Sequence, residues 1–324
     1  MPSPSSSLAT QRPDIAQSFM EFDLQMDAMG FVANRVAPVA NVAKKSGNFG
    51  KIPLKQLLQS GSTKRAPGGG YSRGNWTFEP STYACEEHGW EEPIDDSEAE
   101  MYSDYFDAEQ IAGLRAYSFV LRNAEQRVAD AVFNATTFSS NTTALSNEWD
   151  DYANATPVAD VEAAVQAVYA ASGLWPNALV INRKVFRNLR LCAEIRDRIA
   201  ASGAGFANRA ADVTESQLAA VFDLDEIIVA GSSKNTANEG QDASVSQIWS
   251  DEYAMVCRVP TSQDFREPGL MRTFHWAEDG SEIGGHVETY RDETKRSDIV
   301  RVRHDVDEVM LYANAGHLLS NVTT

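Results

Sequence analysis

Between Ala28 and Phe78 the chain carries no acid, yet it holds eight basic residues: Arg35, Lys44, Lys45, Lys51, Lys55, Lys64, Arg65 and Arg73. From Glu79 to Leu114 the sign inverts. That segment has twelve acids (Glu79, Glu86, Glu87, Glu91, Glu92, Asp95, Asp96, Glu98, Glu100, Asp104, Asp107, Glu109) and no Lys or Arg. Charge segregated in this way folds either as two solvated faces of opposite sign or as complementary surfaces that lock one copy of the chain onto another. Over all 324 residues, 46 acids against 28 Lys and Arg give a net charge of -18. A surface of that sign repels phosphate backbones and disfavours a dedicated nucleic-acid binder. The 43% hydrophobic content supports a sizeable core, and 20 Gly and 12 Pro without a period exclude a collagen-like chain.

The basic block is poorly suited to a core. Lys51 to Phe78 is thin in large apolar residues and carries Gly61, Pro67, Gly68, Gly69, Gly70 and Gly74. Its ends, Asn48 to Leu54 and Asn75 to Glu79, have short strand-like runs, so the segment reads as a two-stranded excursion that leaves the body and returns. Loops of that length are uncommon without a purpose, and a neighbour would order this one. A long helix follows over Asp104–Phe133. Its apolar stripe is Ile111, Leu114, Tyr117, Leu121, Ala124, Val128 and Val132, with Asp104, Asp107 and Glu109 early and Arg122 and Arg127 late, as the helix dipole prefers. Gly113 weakens it locally.

Beyond a polar link (Asn134–Asn147) the pattern predicts helices over Val158–Ser172, Arg183–Leu191, Ala193–Ala200 and Glu215–Phe222. Buried strands are expected at Ala178–Ile181 and Glu226–Ala230, a polar loop over Gly231–Ser244, and a strand over Tyr253–Val259. The remainder is β-rich: Met271–Trp276, Glu282–Tyr290, Val300–His304 and Val309–Tyr312, with a bulge or tight bend at Gly284-Gly285. The fold class is α+β.

Chemistry-bearing motifs are scarce. Cys85, Cys192 and Cys257 are widely spaced, form no C-x-x-C pair and suit a reducing, cytoplasm-like compartment. The N-terminus reads as a flexible polar arm rather than a secretory signal, and no uncharged stretch is apolar enough for a membrane span. The nearest approach to a metal site is Cys85-Glu86-Glu87-His88 with Glu91, which lacks a second spaced pair. There is no G-x-S-x-G elbow, and neither Gly68-Gly69-Gly70 nor Gly203-Ala204-Gly205 has the context of a phosphate-binding loop. Tyr71, Trp76 and Phe78 in the basic ribbon would suit single-stranded nucleic acid, but the acidic neighbour argues against it. The expectation is a non-enzyme without catalytic residues, cofactor or metal.

The order of features resembles that of tailed-phage major capsid proteins of the Hong Kong 97-type fold. Phe31 to Pro38 and Val42 to Phe49 resemble the family's arm-to-loop junction, and Arg65-Ala66-Pro67-Gly68 the tip of its extended loop. Tyr83 to Gly89 and Pro93-Ile94-Asp95-Asp96 resemble the return to the body. Asn177 to Asn182, with Val185-Phe186 and Ile195 to Ile199, is similar to the strand-then-helix of the axial domain. Asp307 to Val322 resembles the C-terminal strand, so the likeness covers most of residues 30 to 322.

The resemblance implies an N-terminal arm (1–44), an extended β loop (45–84), a peripheral domain with a spine helix (85–150), an α/β axial domain (151–262), peripheral strands (263–296) and C-terminal return strands (297–324). It implies hexamers and pentamers of an icosahedral shell, assembled in the host cytoplasm and found in the virion. Expected partners are further copies of the chain, a separate scaffolding protein, a portal and a decoration protein, with packaged DNA enclosed but not specifically bound and no membrane. Candidate intersubunit contacts are Lys44, Lys45, Lys51, Lys55, Lys64, Arg65 and Arg73 against Glu86, Glu87, Glu91, Glu92, Asp95 and Asp96. An encapsulin-like compartment shell is the nearest alternative, and an unrecognised cytosolic α/β enzyme the alternative from another class.

Overall fold

A computed structural model describes residues 10–11, 30–51, 53–74, 77, 79–102, 107–201, 213–238, 240–262, 264, 267–277 and 285–323. In chain order the first elements are β1 (Thr10–Gln11), α1 (Ala33–Val36), β2 (Val39–Val42), β3 (Ser46–Lys51), α2 (Leu54–Leu57), β4 (Glu79–Ala84), β5 (Glu86–Asp95), α3 (Asp96–Tyr102), α4 (Ala108–Val132) and β6 (Thr142–Ala144). Then come α5 (Pro157–Ser172), β7 (Ala178–Asn182), α6 (Arg183–Leu189), α7 (Ala193–Ala201), α8 (Glu215–Phe222) and β8 (Glu226–Ala230). The last are β9 (Ser233–Asn235), β10 (Val245–Gln247), β11 (Tyr253–Cys257), β12 (Met271–Trp276), β13 (His286–Asp292), β14 (Ser297–Met310) and β15 (Gly316–Ser320).

Two large sheets carry most of the described strands, and β3–β4 and β9–β10 form separate two-stranded ribbons. The first is built on β14, whose fourteen residues accept β12 and then β13 along one edge and β5 along the other. Parallel β2 extends it beyond β12, and β1 pairs with β13. The second sheet runs β6-β15-β11-β7-β8. On one of its faces Leu179, Ile181, Ala254 and Val256 pack with residues of α5 to α8. On the other, Val180, Ile228, Met255 and Leu318 meet Val36, Val128 and Val132.

α4 joins the two layers. Its 25 residues, at about 1.5 Å each, span about 37 Å, and Asp107 caps it by accepting from the backbone N–H of Glu109 (3.0 Å) and Gln110 (3.3 Å). The N-terminal half lays Ala112, Ala116, Tyr117 and Val120 on Ile94, Val287, Val300 and Val302 of the first sheet, and the C-terminal half enters the second core. The buried face is rotated from the expected stripe. Ile111 is 40% exposed, while Ala112, Gly113 and Ala116 are buried, because small residues let the helix axis approach the sheet. Asp104 lies outside the described residues.

Where the helix passes from one sheet to the other, Glu125 is 1% exposed. Its carboxyl accepts from the backbone N–H of Val32 (3.0 Å) and Ala33 (2.8 Å), Trp249 Nε1 (2.5 Å) and Ser232 Oγ (3.3 Å). Burial pushes this carboxyl above its usual range, against the hydrogen bonds from Val32, Trp249, Ala33 and Ser232 that pull it down. Beside it, Gly30 has φ +83°, and a Cβ there would lie 2.5 Å from the Gly231 nitrogen, so the close approach requires glycine.

The chain crosses from β11 to β12 through a turn organised by Arg272, which is fully buried. Its Nη1 donates to Ser262 O (3.0 Å) and its Nη2 to Asp264 O (2.6 Å). Glu267 accepts from the backbone N–H of Thr261 (3.1 Å) and Ser262 (2.7 Å) and from both hydroxyls. Burial raises the Glu267 carboxyl, but the bonds from Ser262 and Thr261 outweigh it and bring the group down to about 2.

Several elements differ from expectation. β14 is one strand, not two, because the acids between its expected halves have partners: Asp305 pairs with Lys45 (2.5 Å), Glu308 with Arg127 (2.7 Å), and Asp307 accepts from Ala84 N (2.8 Å). β5 was not expected as a strand. The expected polar loop Gly231–Ser244 contains β9, which pairs with β10 just beyond its end. β13 begins at His286, Glu282 to Gly284 lie outside the described residues, and Gly285 adopts φ +110°.

Glu125→Ala leaves buried donors on Trp249 and Val32 without their acceptor, at about 1–3 kcal/mol each. Urea unfolding should show a loss of about 3 kcal/mol, with Glu125→Gln intermediate. Glu267 has a depressed folded value, so its contribution is complete above the ordinary carboxylate range of about 4.3 and drains away as pH falls toward 2. The thermal midpoint of the native chain should therefore fall more steeply below about pH 4.5 than that of Glu267→Gln.

Candidate functional site

The expected excursion starts as a paired ribbon. β3 and β4 are antiparallel, from Ser46↔Ala84 to Lys51↔Glu79. The ribbon lies on the first sheet through aromatic contacts, Phe49 and Tyr83 meeting Phe274 with ring centroids 5.6 and 4.9 Å away. Lys45 bonds the buried Asp305 at 2.5 Å, and Lys51 Nζ donates to Leu311 O at 3.0 Å and sits over the Tyr312 ring. Past the ribbon, Leu54 is buried and Leu58 closes on Gly173 at the end of α5. A cleft of about 260 Å³ remains between the ribbon base and the second layer, lined by Lys51, Leu54, Glu79, Ala171, Tyr312 and Asn314.

Every residue from 58 to 74 is exposed. A turn closes through Gly69 N to Ala66 O (3.0 Å), and Arg65 bonds Gly69 O while its guanidinium lies 5.0 Å from the Tyr71 ring centroid. Lys64, Arg65 and Arg73 are thus held in solvent, and Lys44 is exposed at the ribbon base. The side chain of Lys55, together with Trp76 and Phe78, lies outside the described residues.

The acidic segment becomes β5 and the start of α3. Glu91 accepts from Arg301 Nε (2.7 Å) and the Tyr290 hydroxyl (3.1 Å). Glu92 accepts from Trp90 Nε1 (2.9 Å) and lies 3.9 Å from Arg115. Asp95 caps the Ser97 N–H (2.8 Å). Asp96 takes a two-pronged contact from Arg291 (2.5 and 2.7 Å), which holds its carboxyl below the usual range. Glu86 and Glu87 are exposed. The structure therefore gives Lys45, Lys51, Glu91, Glu92 and Asp96 partners within the chain and leaves Lys44, Lys64, Arg65, Arg73, Glu86 and Glu87 facing solvent. Sequence reasoning missed Arg115, Arg291 and Arg301 as partners of these acids; the alternating Arg301-Val302-Arg303 was the available signal.

Cys85, Glu86, Glu87 and His88 do not converge: Cys85 Sγ is directed at Phe274 O (3.6 Å), Glu86 and Glu87 are exposed, and His88 faces His304 across the sheet. Burial and the charges of Asp307 and Asp305 push the Cys85 thiol up to about 11, and burial takes Cys192 and Cys257 to about 12. Among the described residues no helix is long and apolar enough to cross a membrane.

No family model matches the chain, and no curated protein matches it in sequence. Solved structures do. A phage-related protein from Bordetella bronchiseptica superposes with a TM-score of 0.67 at 20% identity, covering 97% of this chain and 98% of that one. The capsid protein of Cyanophage P-SCSP1u gives 0.55 at 10% identity over 88% and 86%. The chain has the phage capsid fold. The SrpI encapsulin of Synechococcus elongatus gives 0.52 at 11% identity over 90% and 87%, so the same fold is met in an encapsulin as well. The likeness to Hong Kong 97-type capsid proteins read from the sequence is thereby met at the level of fold.

The raised thiols make a chemical prediction. Iodoacetamide at about pH 8 should leave Cys85, Cys192 and Cys257 unmodified in the native chain and alkylate all three after denaturation, as read by mass spectrometry.

Proposed function

We propose that this chain is a major capsid protein, a self-assembling subunit of the icosahedral shell of a tailed phage. The observation that carries the reading is the match of nearly the whole chain to a phage-related structure, with TM-score 0.67 over 97% of its length. A second observation fits it: residues 58 to 74 form a long excursion rich in glycine and cations, every residue of which is exposed. An isolated monomer gains nothing from such a segment; a subunit in a lattice gains a contact with its neighbour.

On this reading α4 is the spine helix, the sheet built on β14 belongs to the peripheral domain, and the sheet containing β7 and β11 to the axial domain. The expected divisions (1–44, 45–84, 85–150, 151–262, 263–296, 297–324) follow as the layout. Lys44, Lys64, Arg65 and Arg73 dock on acids of a neighbouring copy, chiefly Glu86 and Glu87, with Lys55 on the same loop. Lys45, Lys51, Glu91, Glu92, Asp95 and Asp96 shape the two surfaces from within the chain. A separate scaffolding protein, a portal and a decoration protein complete the particle, which encloses DNA in the virion. The protein acts by surface burial rather than catalysis. An encapsulin-like compartment is the second reading, favoured by the SrpI likeness.

Negative-stain microscopy of the purified chain, with and without the products of neighbouring genes, tests the proposal. Closed shells, or rings of five and six, are expected; a monomer under all conditions overturns it. Shells co-purifying with a cargo enzyme would favour the compartment. Reversing the solvent-facing cations together (Lys64→Glu, Arg65→Glu, Arg73→Glu) should leave the thermal midpoint within about 2 °C, since they touch no core, yet abolish assembly at about 0.15 M salt.

A further inference from the structure

Among the described residues β5 is an edge strand of the first sheet. Its inner edge is zipped over ten residues to β14, from Glu86↔Val306 to Asp95↔Ser297. Among the described residues no strand pairs with its outer edge. A row of unpaired N–H and C=O groups is a template for another strand, and proteins restrict such templates with charge and proline. β5 has both. Its acids repel a second β5, and Pro93 has no N–H to give, which confines a further ladder to Glu86–Glu92. An edge guarded in this way stays open to one class of partner, a strand of opposite sign.

The chain itself contains such a strand. The limb Ser60–Arg65 precedes the Ala66–Gly69 turn, is neither helical nor paired, is exposed throughout, and lies in the acid-free block. Side chains of adjacent strand residues point to opposite faces, so Lys64 and Arg65 would present one cation to each face. β5 has acids on both. Glu92 lies near Arg115 of α4, and Trp90, two residues before, stacks on Phe119 at 3.8 Å, so Glu86 shares the α4-facing side by the same alternation. Glu91 meets Arg301 and Tyr290 on the opposite face, which Glu87 shares. Six residues at about 3.3 Å give about 20 Å, close to the length available before Pro93.

We propose that β5 receives the Ser60–Arg65 limb of a second copy as an added strand, so that the loop docks through backbone pairing, with the charges setting register. This rests on the shell reading and specifies the contact within it. Within one chain the limb is exposed and unpaired while, among the described residues, the outer edge of β5 takes no strand, so the donor is another copy.

The test uses the full-length chain before and after assembly. Alternate amides of 86–92 already face β14, so the readout is the outward-facing set, whose hydrogen exchange should slow at least about tenfold on assembly. In shells of the Lys64→Cys/Glu87→Cys variant, oxidation should produce a ladder of linked subunits on a non-reducing gel, whereas either single variant should not. Shells that form with the outward-facing 86–92 amides still fast and no ladder overturn the added strand and leave the shell reading intact. Outward-facing amides already slow in the unassembled chain also overturn it, since the edge is then filled by its own chain. Failure to form any ring or shell overturns both.

Discussion

The buried carboxyl of Glu125 is where three distant segments converge: the stretch leading into α1, the middle of α4, and the loops at Ser232 and Trp249 beside the second sheet. A carboxyl taken out of water is tolerated only where donors replace the lost solvent, and here backbone N–H groups, an indole and a hydroxyl do so. The position is also the point at which α4 leaves one sheet for the other. The seating of the stretch before α1, of α4 and of Trp249 is therefore tied to one set of hydrogen bonds. The requirement for glycine opposite Gly231 is the steric side of the same junction.

The charge pattern has an equivalent logic. The acidic segment does not remain a solvated run; as β5 it lies against β14 and faces Arg115, Arg291 and Arg301, which settle part of its charge locally. The basic block divides likewise. Lys45 and Lys51 fasten the ribbon base to the body, while Lys64 and Arg73 stay in water. A partly exposed ion pair adds little stability by itself. Their value lies in direction: they fix where the loop leaves the body and leave its remaining charge facing outward.

Much of this was legible in the sequence. The long helix showed its 3.6-residue period, and the buried strands β7 and β8 showed continuous apolar runs. The rotation of the α4 face was not legible, because the helix is seated by small residues, Ala112, Gly113 and Ala116, and hydrophobicity alone favours Ile111. β5 was hidden for a different reason. Glu86-Glu87-His88-Gly89-Trp90-Glu91-Glu92 has no apolar alternation, and only pairing with residues some two hundred positions later makes it a strand. The two charge blocks of the candidate surface were visible at once, but which charges were already satisfied within the chain was not, since their partners are brought close only by the fold.

The helix that spans both cores has a mechanical meaning. A rod of about 37 Å, gripped by a sheet at each end, converts a tilt of about 5° at one end into a displacement of about 3 Å at the other. Packed interiors resist compression, so the layers must answer such a tilt by moving as bodies. Strain imposed on the sheet around β14 is in this way read out at the opposite side of the molecule as a translation. Glu125, about two thirds of the way along the rod, is where the loops at Ser232 and Trp249 hold it.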